Sequence, residues 1–169
     1  MRLLGLDPGL RITGWGVIEV TGNRIGHVAD GVVRSDDRLS LAARLAQLHG
    51  GIVAVLKAYE PVEAAVEETF VNRNPASTLK LGQARGAVML APALAGLVVA
   101  EYQPSVVKKA VVGTGGAAKD QVGMMIRTLL PGATLETADA ADALAIAICH
   151  AHYRAGALSL ALARAGGGR

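Results

Sequence analysis

Short apolar runs alternate along this chain with longer stretches of helical period, and the alternation predicts an α/β fold. The first run, Leu3-Leu4-Gly5-Leu6-Asp7, breaks at once on Pro8-Gly9, so it reads as a buried strand that delivers Asp7 to its end. Asp-Pro-Gly is also ordinary turn chemistry, so the strand by itself leaves the role of Asp7 open. Thr13-Gly14-Trp15-Gly16-Val17-Ile18 returns as an antiparallel partner, with glycines that leave room for another backbone or a bulky ligand. Arg24 to Arg34 places Ile25, Val28, Val32 and Val33 between polar residues, as a third, edge-type strand would. After a polar connection with Asp37 or Ser40 as N-cap, Leu41, Leu45, Leu48, Ile52, Val55 and Tyr59 recur at helical steps. Gly50-Gly51 weakens that helix by up to about 1 kcal/mol per glycine, and Pro61 stops it.

The second half repeats the opening motif. Val62 to Glu67 is a buried strand that again ends in acid, and Glu68 beside it reads as a solvated loop carboxylate. Strand alternation lets only one of Glu67 and Glu68 face Asp7. A polar loop, Val71 to Ser77, leads into a helix start at Thr78 to Gly86 that carries basic and amide side chains suited to phosphate contacts. The helix continues from Ala87 to Leu97, apolar nearly all round, so it is either wholly buried or packed on a second subunit. Val98 to Tyr102 is a further strand, and Pro104 opens a short helix holding Lys108 and Lys109. Gly113-Thr114-Gly115-Gly116 is glycine-rich but lacks both the Gly-Lys-Ser/Thr ending of a P-loop and the GxGxxG spacing. Lys119 begins another helix, with Arg127 on it.

The last helix starts at Thr137-Ala138-Asp139-Ala140-Ala141-Asp142 and runs on in alanine, leucine and isoleucine. Asp139 and Asp142 are three apart and share one face. Thr137 or Asp139 would serve as N-cap, but capping alone does not account for a second Asp in an otherwise apolar helix. Residues 156–169, ending in the Gly-rich Arg164 to Arg169, are expected to form a disordered tail behind a single domain of residues 1–155.

Composition narrows the classes. A chain of 169 residues with 51% hydrophobic residues has material for one core, and with 3% aromatics that core is built from Ala, Leu, Val and Ile. The single cysteine, Cys149, excludes an internal disulfide framework and sits in an apolar run as a small hydrophobe. No signal peptide is visible, and the longest uncharged run, Gly86 to Ala100, is too short to span a bilayer and contains Pro92. A cytoplasmic protein without a membrane partner is expected. The formal net charge of +3 permits a nucleic-acid partner without demanding one.

Asp7, Glu67, Asp139 and Asp142 are therefore the candidate chemistry: four hard oxygen donors with no clustered Cys or His, which select Mg²⁺ or Mn²⁺. Two such ions activate water and stabilise the leaving oxygen in phosphodiester hydrolysis. Arg73, Lys80, Arg85, Lys108, Lys109, Lys119 and Arg127 lie in segments near the acids in sequence, as a basic rim for a nucleic-acid backbone would.

Gly5-Leu6-Asp7-Pro8-Gly9 with Thr13-Gly14-Trp15-Gly16, Glu67-Glu68-Thr69-Phe70, Leu79-Lys80-Leu81-Gly82-Gln83-Ala84-Arg85-Gly86, Val111-Val112-Gly113 with Lys119, and Ala138-Asp139-Ala140-Ala141-Asp142-Ala143-Leu144-Ala145 together resemble the RuvC Holliday junction resolvases. The resemblance runs in order to about His152. It implies an RNase H-like fold, with a mixed sheet (the first three strands antiparallel, the rest parallel) between helices on both faces, and a homodimer. It also implies symmetric cleavage of two opposing strands of a four-way DNA junction beside a RuvA–RuvB branch-migration complex. By motif, Asp7, Glu67, Asp139 and Asp142 would be the metal-binding catalytic acids, with two ions per site. Asp142 is the firmer of the last pair, because the family varies between Asp and His at the position of Asp139. Lys108 and Lys119 would be the catalytic lysines at the cleaved phosphate, and Phe70 the aromatic that stacks on unpaired bases. Asn72, Arg73, Lys80, Arg85, Lys109 and Arg127 complete the expected DNA contacts. Two other readings share the opening strand and hairpin. A nucleotide-binding module of the sugar-kinase/Hsp70/actin superfamily would need a second domain, for which 169 residues leave no room. A RuvC-like enzyme of ribosomal RNA processing fits the Leu-Gly-Gln-Ala-Arg-Gly helix and the Asp139/Asp142 spacing less well.

Overall fold

The structure, a computed structural model, describes residues 1–68 and 75–166, with side-chain surroundings as far as residue 154. In chain order the elements are β1 (Arg2–Asp7), β2 (Ile12–Thr21), β3 (Arg24–Arg34), α1 (Leu41–Tyr59), β4 (Glu63–Glu67), α2 (Pro75–Leu94), β5 (Val98–Tyr102), α3 (Pro104–Val112), α4 (Lys119–Leu129) and α5 (Ala138–Gly166). The strands form one sheet in the order β3-β2-β1-β4-β5. β1–β2 and β2–β3 are antiparallel, whereas β1–β4 and β4–β5 are parallel. This is the mixed, RNase H-like arrangement expected from the sequence.

Each central strand is apolar on both sides because each side is covered by helices. Leu4, Leu6 and Val17 pack with Ala64 and Val66 against Leu48, Ile52 and Val55 of α1 and Ala84, Val88 and Ala91 of α2. Leu3, Ile18 and Ala65 pack on the opposite face against α3, α4 and Leu144, Ile146 and Ile148 of α5. The sparse aromatics do not weaken this core, because small residues let the helices approach closely.

Gly51 shows the effect. A Cβ there would lie 2.3 Å from a methyl of Val33, so the glycine that lowers helix propensity lets α1 press onto β3. Ser40 is the N-cap, its hydroxyl accepting from the Ala43 amide, and Glu60 ends α1 in a left-handed conformation just before Pro61.

One expectation changes, and two further elements are defined by the structure. α2 begins at Pro75 rather than Thr78, and it is not wholly buried: Ala84, Val88 and Ala91 face the sheet, while Leu79, Leu90 and Leu94 are exposed. The glycine-rich turn after α3 serves the backbone, with Gly113 closing the helix in a left-handed conformation through its amide to the Lys109 carbonyl. α5 is described as far as Gly166.

Candidate active site

Strand parity brings the first two acids together. On β1, Leu3 and Gly5 face α5 while Leu4 and Leu6 face α1 and α2, so Asp7 is directed to the α5 side. On β4, Ala65 faces α5 while Ala64 and Val66 face α2, which directs Glu67 to the same side and Glu68 away from it. Because Leu6 pairs with Val66 in the parallel ladder, the residues that follow, Asp7 and Glu67, leave the sheet side by side. Both are at the carboxyl ends of central strands, where open α/β sheets place their sites.

The last two acids arrive on α5, and glycines decide how closely. Gly14 is the cross-strand partner of Asp7. A Cβ on Gly14 would stand 2.0 Å from the Asp139 carbonyl oxygen, and one on Gly5 would stand 2.0 Å from the Ala143 carbonyl oxygen. The room left by the hairpin glycines is thus filled by the backbone of α5. Its first turn is capped by Thr137, whose hydroxyl accepts from the Ala140 amide. Neither Asp139 nor Asp142 is needed as N-cap, and both are left to face the strand ends.

Electrostatics show that the four acids share one space. Asp7 is pushed up to about 7, mainly by burial and then by the charges of Asp142, Glu67 and Asp139, with Lys119 opposing. Glu67 is also raised, by burial and by Asp142, while Lys108 and Lys119 pull it back. Lys119 donates to Asp142 Oδ2 at 3.2 Å, and this contact holds its ammonium above the usual lysine range. Among the described residues no three such groups converge tightly enough to hold an ion as they stand. The donor set fits a hard dication nonetheless: four carboxylates, two of them in an environment that penalises their charge until a cation neutralises it.

The hairpin carrying Asp7 is braced by hydrogen bonds from within the turn and from residues far along the chain. The buried Thr13 donates through its hydroxyl to the Gly9 carbonyl at 2.9 Å and accepts from the Gly9 amide. Ser35 and Arg44 both donate to the Leu10 carbonyl, and Arg44 Nε also reaches the Ser35 hydroxyl at 3.0 Å. No local signal marks Ser35 or Arg44, because they reach the turn from 25 and 34 residues away.

The expected basic rim is only partly free for a ligand. Lys108 and Lys119 lie at the acids, and Lys80, Lys109 and Arg127 are exposed. A cleft of about 570 Å³ between α4 and α5 is lined by Lys119, Arg127, Thr137 and Asp142, which extends the site past the last acid. A second cleft, of about 500 Å³ and mostly apolar, lies between α1 and α2 and contains none of the candidate residues. Arg85, expected among the DNA contacts, is instead engaged inside the fold with the Glu67 carbonyl and with Glu101. Phe70, Asn72 and Arg73 lie outside the described residues.

Comparison with known proteins agrees with this geometry. The sequence model of the family described as crossover junction endodeoxyribonuclease RuvC matches residues 3–150. The chain is 68% identical over 154 residues to a crossover junction endodeoxyribonuclease RuvC of Paramagnetospirillum magneticum, covering 91% of this chain and 93% of that one. It is 65% identical to the same-named protein of Granulibacter bethesdensis over 92% of this chain and 87% of the other. Among solved structures it is similar to T. thermophilus RuvC in complex with Holliday junction substrate, with a TM-score of 0.85 and 36% identity over 91% of this chain and 94% of that one. With strand order, paired strand-end acids and a capped acidic helix all in place, the chain belongs to the RuvC family of crossover junction endodeoxyribonucleases.

Proposed function

We propose that this protein is a structure-selective DNA endonuclease that resolves four-way junctions during recombination and repair, by symmetric, divalent-metal-dependent hydrolysis of two opposing strands. The observation that carries the reading is the gathering of Asp7, Glu67, Asp139 and Asp142 in one space, with Asp7 raised to about 7 by burial and the other three acids. Relatives of high identity are named as crossover junction endodeoxyribonucleases, and a solved relative is described in complex with Holliday junction substrate.

Asp7, Glu67, Asp139 and Asp142 would hold Mg²⁺ or Mn²⁺, two ions per site, which when bound supply an activated water and charge neutralisation at the leaving oxygen. The chain's own residues do the rest. Burial and the neighbouring acids push Asp7 up to about 7, so its carboxylate form is the one that a bound dication would favour. Lys119, tied to Asp142, and Lys108, close to Glu67, put two ammonium groups beside the acids, where they attract the scissile phosphate and offset its charge as it builds. Lys80, Lys109 and Arg127, with Asn72 and Arg73, would contact the DNA backbone, and Phe70 would stack on unpaired bases at the junction centre.

Symmetric cutting calls for two sites, and α2 supports a homodimer. Leu79, Leu90 and Leu94 are 65%, 49% and 71% exposed. They fall within about 60° of one another around the helix, a stripe that also holds Gly86. A second copy covering that stripe would bring two active sites into one assembly. RuvA–RuvB is the partner machinery and the cytoplasm the site of action in this reading; no described helix is long and apolar enough to cross a membrane.

A synthetic four-way junction, a linear duplex and an RNA–DNA hybrid, each incubated with Mg²⁺, Mn²⁺ or EDTA, test the proposal. Paired symmetric nicks are expected in the junction alone, lost with EDTA and with Asp7→Asn while binding persists. Cleavage of the hybrid would move the activity to another nuclease class, and ATP binding without cleavage would favour the kinase-like reading.

A further inference from the structure

Arg85 stands on α2 and reaches two strands at once. Its Nε donates to the main-chain carbonyl of Glu67 at 3.0 Å, and its Nη2 donates to the carboxylate of Glu101 on β5. The guanidinium side chain is 18% exposed, against 46% for Glu101, so the pair closes over the ends of β4 and β5 from the α2 side. Glu67 is the last residue of β4, and the next amide, Glu68 N, donates to the Tyr102 carbonyl at 2.8 Å. The peptide plane between Glu67 and Glu68 is thereby held from both directions, its carbonyl by Arg85 and its amide by β5.

We infer that Arg85 is a positioning residue for Glu67, a clasp that fixes the peptide plane at the end of β4 and so aims the Glu67 carboxylate at the other acids. The inference rests on the reading of Glu67 as a metal ligand. The carbonyl carbon of that plane is bonded to the Glu67 Cα, so a displacement of the plane tilts the Cα–Cβ bond and carries the carboxylate with it, and a ligand set tolerates only about 0.5 Å of such movement. A planar guanidinium can bridge a carbonyl and a carboxylate at fixed angles, which a single ammonium cannot. Glu101 also balances the charge of Arg85, which makes Arg85 a poor ligand for a DNA phosphate. The side chain missing from the expected basic rim thus acts on the catalytic strand from behind.

Mn²⁺ binding to the protein alone, measured by calorimetry for wild type, Arg85→Gln, Arg85→Lys and Glu101→Gln, reads this role without any DNA. Loss of a partner behind a ligand costs about tenfold or more in metal affinity, and a drop of that size is expected for Arg85→Gln, with Arg85→Lys intermediate. The Mn²⁺ concentration that half-saturates junction cleavage should rise by the same factor, while the rate at saturating Mn²⁺ recovers. Junction binding in EDTA should stay at the wild-type level for Arg85→Gln, and Glu101→Gln should share the weakened metal affinity. Unchanged Mn²⁺ affinity in folded variants would overturn the inference. So would weaker junction binding by Arg85→Gln with a shallower salt dependence, the signature of a phosphate contact. Should Arg85→Gln fail to fold, Arg85→Lys and Glu101→Gln decide the outcome by the same two criteria. Wild-type protein that takes up no Mn²⁺ would overturn the metal reading and this inference with it, whereas normal wild-type uptake left intact in the variants sinks the clasp alone.

Discussion

Gly14 and Asp139 meet backbone to backbone: a Cβ on Gly14 would fall 2.0 Å from the Asp139 carbonyl oxygen and 2.4 Å from its carbon. Gly14 also lies opposite Asp7 in the β1–β2 ladder. One hydrogen in place of a side chain therefore sets how near the acids of α5 come to the acid of β1. Gly14→Ala has no flexible side chain to displace, so α5 must shift. The expected result is a loss of about 1–3 kcal/mol in stability together with a larger fall in junction cleavage. Gly26→Ala, where nothing stands within 4 Å of the added Cβ, is the control and should do neither. Thermal denaturation and cleavage rates on the same preparations check both, and an active Gly14→Ala protein would refute the packing argument.

Glu67 and Glu68 are adjacent in sequence but directed to opposite sides of the sheet. On the proposed role of Glu67 as a metal ligand, Glu67→Gln is expected to lower cleavage by about a hundredfold or more, since the loss of one ligand forfeits several kcal/mol of charge stabilisation. Glu68→Gln should stay near wild type. Single-turnover rates on a four-way junction measure the contrast, and the reverse order would mean a strand register wrong by one residue.

Asp7 makes the metal-free protein sensitive to pH. Its folded value of about 7 lies above the ordinary 3.8, so the folded state holds a proton that the unfolded chain has released between those two pH values. Stability must then fall as pH rises from about 4 to 7, by about 2–4 kcal/mol at most, and level off above that. Mg²⁺ or Mn²⁺ should reverse the loss at pH 8. Asp7→Asn should flatten the pH dependence and abolish the gain from metal. Melting temperatures from pH 4 to 8, with and without the ion, give the answer; a wild-type profile that rises through this window with no help from metal would contradict it.

Lys119 offers a cleaner separation of function from stability. Its ion pair with Asp142 is largely exposed, 76% on the lysine side, so its contribution to folding is within about 1 kcal/mol. Lys119→Met is therefore expected to leave the melting temperature nearly unchanged. It should still cut cleavage by about a hundredfold, as removal of one preorganised charge at a reacting group does. Equal losses in both measurements would make Lys119 a structural residue.

Much of this protein is legible in its sequence. The order of strands and helices, the carboxylates at the ends of the first and fourth strands, and the rule that only one of Glu67 and Glu68 can face Asp7 all follow from local period and alternation. Those are properties of neighbouring residues, so the chain carries them directly. The acids of α5 are visible as a pair that capping alone does not explain, while the choice of Thr137 over Asp139 as the cap came from the structure.

Tertiary structure decided the rest, for one physical reason: these features join residues far apart in the chain. Whether Gly14 and Gly5 admit a ligand or a helix backbone depends on where α5 comes to rest. Gly51 looks like a weak point in α1 until Val33 is seen against it. Ser35 and Arg44 brace the turn after Asp7 from a distance, and Arg85 spends its charge on Glu101 and the Glu67 carbonyl instead of facing outward. Composition placed Arg85 among seven basic residues with equal claims on DNA. Only the packing of α2 against the ends of β4 and β5 distinguishes it, because a mostly buried guanidinium whose charge is balanced by Glu101 attracts a phosphate weakly.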